Sequence, residues 1–221
     1  MKRNFVHNPW KAVRLGLASA ALAVLALTAS AQEQHNNPNV RLGQKAVLDG
    51  DFKSAVTHLQ KALPTEANDP DVQYLLGYSQ FQNGDFPKAV ESFKKVITLD
   101  PKNVSALYYK AKANNNLAVS NTSGLSTVAK EQLLKTVIDD YTKALGITPN
   151  DAKLYQNRGV AYRDLGILVG TAGTKNYDKV AATAAYKNAS TDFEKVLSYD
   201  SSRKDIQTEV KKVNVYRESL K

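Results

Sequence analysis

The chain has 221 residues and no cysteine, and its 30 basic and 21 acidic side chains give a formal net charge of +9 at neutral pH. The lack of cysteine excludes disulfides, thiolate metal sites and cysteine nucleophiles. The excess positive charge is not arranged as a dense basic stripe interleaved with aromatic residues, so the pattern argues against nucleic-acid binding.

The first 31 residues have the pattern of a secretory signal peptide. Residues 1–14 hold four basic side chains and no acidic one, residues 15–28 form an apolar run, and Ala29-Ser30-Ala31 is a small-x-small site. This run is shorter than the roughly 20 apolar residues that a membrane-spanning helix needs. We therefore expect cleavage after Ala31 and export to the periplasm, with secretion or retention by an uncleaved N-terminal anchor as alternatives. Residues 32–35 are expected to be a disordered start.

A spacing of 34 residues organises the next part of the chain. Leu42-Gly43 recurs as Leu76-Gly77, and Gly50-Asp51-Phe52 recurs as Gly84-Asp85-Phe86. The same shift maps three single positions onto one another: Ala55 onto Ala89, Leu59 onto Phe93, and Leu63 onto Ile97. The spacing and the order of residue types, Leu-Gly, then Ala-x-x-x-Phe, then Pro, resemble the tetratricopeptide repeat.

Each of these residue types suits a helical hairpin. The glycine of Leu-Gly lacks a Cβ and lets the second helix approach closely, and the Leu or Phe on that helix fills the gap. Gly50 and Gly84 supply the positive φ of a tight turn. Asp100-Pro101 ends the second helix of the second repeat, because proline disfavours helical backbone in the residue before it.

Residues 104–151 and 152–201 continue the pattern, each with an insertion between its first and second helix. The polar stretch at about 114–127 delays Val137-x-x-x-Tyr141 by 14 residues, and the stretch at about 167–185 delays Ala189-x-x-x-Phe193 by 18 residues. A helix extension is expected from about Asn176. We expect both insertions to project from the same edge, where they serve binding or represent tolerated loop growth.

The predicted fold is all-α. Four antiparallel helix pairs, at 36–69, 70–103, 104–151 and 152–201, stack as a right-handed superhelix. Residues 202–221 form an amphipathic capping helix, whose apolar positions are Ile206, Val210, Val213 and Leu220.

The resemblance implies that the first helices line a concave groove that receives an extended peptide or a partner helix. It implies that the groove-facing positions are Tyr74, Tyr78, Phe81, Tyr108, Tyr109, Lys112, Asn116, Lys153, Gln156, Asn157 and Arg163. An aromatic patch thus passes into a polar and basic one, which suits an acidic segment or a C-terminal carboxylate. The alternative is that the rings simply pack between helix pairs.

No constellation of residues indicates catalysis. The histidines at positions 7, 35 and 58 show no ligand spacing, and the adjacent carboxylates Asp139 and Asp140 would point about 100° apart on a helix. We predict no catalytic residue, metal or cofactor. The predicted function is an exported scaffold that binds a protein or peptide, with a role in envelope assembly or maintenance. A structural subunit of a larger envelope complex and a glycan-binding accessory protein are the alternatives, and the sequence leaves the oligomeric state open.

Overall fold

A computed structural model describes residues 35–220, so the predicted signal peptide lies outside the described residues. The secondary structure within this range is helical. In chain order the helices are α1 (Pro38–Leu48), α2 (Phe52–Glu66), α3 (Pro70–Gln82), α4 (Phe86–Leu99), α5 (Val104–Val119), α6 (Thr127–Ile147), α7 (Ala152–Gly170), α8 (Lys179–Tyr199) and α9 (Lys204–Ser219). Successive helices pack as antiparallel hairpins, α1 with α2 through α7 with α8, and α9 covers the last hairpin. The predicted all-α stack with a C-terminal cap is confirmed.

The first two hairpins close through the same turn. Gly50 and Gly84 have φ angles of +76° and +79°, a region that residues with a side chain rarely adopt. The next residues, Asp51 and Asp85, cap α2 and α4, because each carboxylate accepts a hydrogen bond from the backbone N–H three residues later. The turns predicted from the 34-residue spacing are therefore present.

A seam of close contact runs between the two helices of each hairpin. A Cβ placed on Gly77 would lie 3.1 Å from the Phe93 ring, and one on Gly159 would lie 2.8 Å from Cε1 of Phe193. Both rings are fully buried. The glycine therefore brings the helices together and the ring fills the space that remains, as the repeat pattern predicts.

Each of the two insertions is partly helical. In the third hairpin α5 continues to Val119 and α6 begins at Thr127, so residues 120–126 alone connect them. Residues 114–119 of the stretch predicted to interrupt this repeat thus belong to α5, and Ala118 within it is 3% exposed. Ala118 and Leu134 lie seven residues outward from Ala111 and Tyr141. Because seven residues make nearly two helical turns, they face the same seam.

The fourth hairpin extends its seam in the same way. A Cβ on Gly166 would lie 2.6 Å from Cε1 of Tyr186. Gly166 lies seven residues after Gly159, and Tyr186 lies seven residues before Phe193. The predicted helix extension begins at Lys179 rather than Asn176, after residues 171–178 have connected the two helices.

The outer ends of the third and fourth hairpins touch. Nδ2 of Asn176 donates a hydrogen bond of 3.2 Å to Oε2 of Glu131, near the start of α6. The two insertions therefore lie side by side on one edge, as expected from their common place between the helices of a repeat. None of the helices within residues 35–220 has the length and hydropathy needed to cross a bilayer.

Two buried ion pairs fix the later hairpins. Lys110 on α5 contacts Asp140 on α6 at 2.7 Å, while the neighbouring Asp139 faces solvent and pairs with Lys143. The two adjacent carboxylates thus diverge, as their spacing on a helix predicts.

The second pair joins Arg158 on α7 to Asp192 on α8. Nε and Nη2 of Arg158 donate to the two carboxylate oxygens at 2.8 and 2.7 Å, and Nη1 donates to Thr142 Oγ1 on α6. Hydrogen bonding to Asp192 raises the pKa of the guanidinium. One arginine therefore ties the fourth hairpin together and links it to the third.

Candidate functional site

The first helices of successive hairpins line one side of the stack. Helices α1, α3, α5 and α7 contact one another in turn, while the second helices flank them. We call the surface of α3, α5 and α7 on this side the groove face. The residues that the repeat resemblance predicts for partner binding belong to these three helices.

Four rings on α3 and α5 form what we call the aromatic wall: Tyr74, Tyr78, Phe81 and Tyr108. All four are half-buried, and each meets the ring of Tyr109 edge to face. The centroid separations are 6.3, 5.3, 5.5 and 5.1 Å, respectively. Such edge-to-face contacts hold rings in fixed orientations. The wall therefore offers its remaining exposed area as a preformed surface.

Tyr109 itself is a core residue, and its predicted place in the groove is wrong. It is 8% exposed, and its ring stacks on Phe93 with centroids 5.8 Å apart. Adjacent residues on a helix point about 100° apart, so Tyr108 and Tyr109 cannot both face the groove. Tyr109 supports the aromatic wall from behind.

The wall also carries three tyrosine hydroxyl groups, and the Tyr78 hydroxyl has a defined partner. Gln82 Nε2 donates to the Tyr78 hydroxyl at 2.7 Å, a bond between residues four apart that the sequence spacing could have revealed. The hydroxyls of Tyr74 and Tyr108 are the other two on the aromatic wall. Burial raises the pKa of both phenols, so they remain neutral hydrogen-bonding groups at physiological pH.

Lys112 extends over the aromatic wall. Its Nζ lies 5.7 Å from the ring centroid of Phe81 and 5.6 Å from that of Tyr108. The side chain is half-buried, and burial lowers the pKa of its ammonium group. Within residues 35–220 it has no ion pair with a carboxylate, so ring faces are its favourable charge contacts there.

The polar part of the predicted site lies on α7 and the end of α5. Lys153 is exposed at the start of α7, and the Asn157 amide donates to its carbonyl oxygen at 2.7 Å. Gln156 accepts a hydrogen bond of 3.1 Å from Arg203. Asn116 lies one turn beyond Lys112, and its side-chain amide makes no hydrogen bond to the described part of the chain.

Arg163 on α7 was predicted to face the groove, where it could meet an acidic segment, but its guanidinium is already paired with carboxylates of this chain. Nη2 of Arg163 contacts Asp164 at 2.8 Å, and Nη1 contacts Glu209 on α9. Glu209 also pairs with Lys212 at 2.9 Å. The separation of 46 positions between Arg163 and Glu209 explains why local sequence spacing gave no sign of this contact.

His35, Glu66 and Asp69 form a cluster that the sequence did not predict. Nε2 of His35 lies 3.6 Å from Asp69 and 3.9 Å from Glu66, and these three side chains could in principle surround a metal ion. However, Nδ1 of His35 accepts a hydrogen bond from the Asn37 backbone N–H at 3.1 Å. The neutral ring must then carry its proton on Nε2, which makes that atom a donor to the carboxylates rather than a metal ligand. The cluster fastens residue 35 to the junction of α2 and α3.

The sequence of this chain matches one family model and is similar to proteins of known sequence. The model of a family described as anaphase-promoting complex, cyclosome, subunit 3 matches residues 48–118. The DnaJ homolog subfamily C member 7 homolog of Dictyostelium discoideum is 23% identical over 200 residues, which cover 77% of this chain and 35% of that protein. The photosystem I assembly protein Ycf3 of Acaryochloris marina is 27% identical over 120 residues, covering 53% of this chain and 72% of that one.

Solved structures share the fold. MamA from Desulfovibrio magneticus RS-1 superposes with a TM-score of 0.51 at 19% identity, covering 84% of this chain and 98% of that one. A second MamA crystal structure gives 0.51 at 20% identity, with 82% and 87% coverage. At this level of identity the likeness concerns the arrangement of helical hairpins alone.

Proposed function

We propose that this tetratricopeptide-repeat protein is an exported scaffold that binds an extended segment of a partner protein along its groove face. The aromatic wall is the observation that carries the proposal. Its four rings are held in place by Tyr109 yet remain partly open to solvent. Rigid aromatic rings give a large contact area and lose little side-chain entropy on binding.

A scaffold also fits the polar chemistry of the groove face. Its side chains offer hydrogen-bonding groups from tyrosine hydroxyls and amides, together with a single ammonium over two rings. These groups suit peptide backbone and polar side chains. The descriptions of the matched family, a subunit of a complex, and of one matched relative, an assembly protein, support the same proposal.

Export from the cytoplasm and a role in the cell envelope are parts of the same proposal. They rest on the basic start, the apolar run and the small-x-small site of residues 1–31. We expect the mature protein to begin at Gln32. N-terminal sequencing of protein recovered from the envelope fraction tests this, and an intact N-terminus would favour an uncleaved anchor.

Site-specific photocrosslinking tests the binding role. A benzoylphenylalanine replaces Tyr78 in one variant and Thr98, which is exposed on the second helix α4, in the control. We expect a discrete crosslinked partner from position 78 and none from position 98 after irradiation in cells. Crosslinks from both positions to one fixed complex would instead favour a structural subunit, and no crosslink from position 78 would refute groove binding.

A further inference from the structure

The groove face contains a cation whose charge the described part of the chain leaves uncompensated. Lys110 and Arg158 are paired with Asp140 and Asp192 in the core. Arg163 is held by Asp164 and Glu209. Lys112, by contrast, lies over two rings with no carboxylate beside it within residues 35–220.

Such an arrangement costs stability that a simple structural role would not require. A half-buried ammonium loses part of its hydration, and burial lowers the Lys112 pKa for that reason. Cation–π contacts with the two rings offset part of this loss. An anion that binds in the groove would compensate the Lys112 ammonium for its lost hydration. The rings around the ammonium are already in place.

A second donor stands beside this ammonium. Asn116 lies four residues after Lys112 on α5, so both side chains project from the same helix face with Cβ atoms about 5–6 Å apart. The Asn116 amide is half-buried and has no hydrogen-bond partner in the described residues. An ammonium and an amide N–H at this spacing can both donate to one carboxylate.

We propose that Lys112 and Asn116 form a carboxylate subsite that binds an acidic side chain of the partner segment. This inference rests on the proposed function, because it names the anchor of the same groove. The groove face continues on both sides of the subsite, towards Tyr78 on α3 and Asn157 on α7. A chain can therefore pass through it, which favours an internal Glu or Asp over a chain end.

The test uses three ten-residue synthetic peptides, each with two leucines for the aromatic wall. The first carries two central glutamates and a C-terminal amide, the second replaces both glutamates with glutamine, and the third is the glutamine peptide with a free C-terminal carboxylate. Binding is followed by the ¹³C NMR signal of reductively methylated Lys112, assigned by its loss in Lys112→Met, and by fluorescence anisotropy of labelled peptides.

We expect the glutamate peptide to shift the Lys112 signal and the neutral glutamine peptide to leave it unchanged. Lys112→Met should weaken glutamate-peptide binding about tenfold, since hydrogen bonds to charged groups are the stronger ones. Lys112→Arg should retain most of the affinity. Lys143→Met, which removes the same charge from an exposed pair outside the groove, should have no effect.

Three results would overturn the subsite. One is equal binding of the glutamate and neutral glutamine peptides, another is unchanged affinity in Lys112→Met, and the third is no shift with any peptide at millimolar concentration. A shift with the free-carboxylate peptide alone would show that the anchor is a chain end and would contradict the proposed acidic side chain. Crosslinking from position 78 reports on groove binding independently, so the subsite can fail while the proposed function stands.

Discussion

Gly166 tests whether the helical insertion of the fourth hairpin is held by the same seam as the repeat itself. Replacing it with alanine places a Cβ 2.6 Å from Cε1 and 2.7 Å from Cδ1 of Tyr186. Contacts this short force either the ring or a helix to move. The Tyr186 ring is 4% exposed, so it has little room to do so.

The size of the effect follows from two opposing terms. Alanine is more favourable than glycine inside a helix by about 1 kcal/mol, whereas overpacking a filled core costs typically about 1–3 kcal/mol. We expect Gly166→Ala to lower the free energy of unfolding by about 0–2 kcal/mol. Gly146→Ala is the matched control, because a Cβ at that exposed position in α6 meets no atom within 4 Å. It should raise the free energy of unfolding by up to about 1 kcal/mol.

The measurement is urea unfolding of both variants and the wild type, followed by circular dichroism at 222 nm. Amide hydrogen exchange shows where the loss occurs, since stacked repeats open locally. We expect faster exchange in α7 and α8 of Gly166→Ala and unchanged exchange in α1 to α4. If Gly166→Ala stabilises the protein as much as Gly146→Ala does, the close packing of this seam is wrong.

Three other predictions concern the ion pairs, the turns and the groove cation. Asp192→Asn should lower the free energy of unfolding in urea by about 3 kcal/mol, because it leaves the half-buried Arg158 charge unpaired. Asp139→Asn, at an exposed pair, should lower it by under about 1 kcal/mol. Equal losses in the two variants would contradict the difference in burial. Gly84→Ala should lower the free energy of unfolding by about 1–2 kcal/mol, because the φ angle at this position is +79°, and Gly84→Asn should lower it less. Thermal unfolding measures both variants. Unchanged stability of Gly84→Ala would refute the turn conformation. Burial lowers the pKa of Lys112 in the folded protein, so between this lowered pKa and the unfolded value of about 10.4 the unfolded chain binds more protons. The free energy of unfolding, relative to that of Lys112→Met, should therefore rise with pH in this range. Urea unfolding at several alkaline pH values measures it, and a fall would contradict the predicted burial.

The hairpins could be predicted from sequence because the 34-residue spacing fixes several kinds of residue in one phase. Gly84 marks the turn, Gly77 and Phe93 mark the seam, and a proline marks the helix end. Each of these depends on residues close in sequence or on a single repeated contact. Their positions therefore follow without knowledge of the rest of the structure.

The insertions were harder to predict because local preference and packing disagree. Three successive asparagines at 114–116 are poor helix formers, and the sequence therefore suggested a break. In the structure α5 continues through them, since Ala118 and Leu134 bury apolar surface two turns further along the seam. Tertiary packing overrides the local preference there.

In the candidate site, too, local sequence and contacts between elements have to be distinguished. Tyr74, Tyr78, Phe81 and Tyr108 are half-buried side chains of α3 and α5, and their place in a binding groove stays a prediction. Tyr109 and Arg163 do not offer free binding groups, because one supports the wall and the other pairs with a residue of α9. Both outcomes depend on contacts between elements, which position within a repeat cannot reveal.

Because the seam continues in steps of seven residues, the length of a hairpin, here called an arm, is independent of how that hairpin packs against its neighbours. Adding seven residues to both helices lengthens a hairpin by about 10.5 Å and returns nearly the same side of each helix to its partner. An arm can therefore grow or shrink in steps of two turns without turning the surface that its neighbours pack against. Both helices of the fourth hairpin and the second helix of the third show this lengthening: α6, α7 and α8 have 21, 19 and 21 residues, against 13 and 14 in α3 and α4.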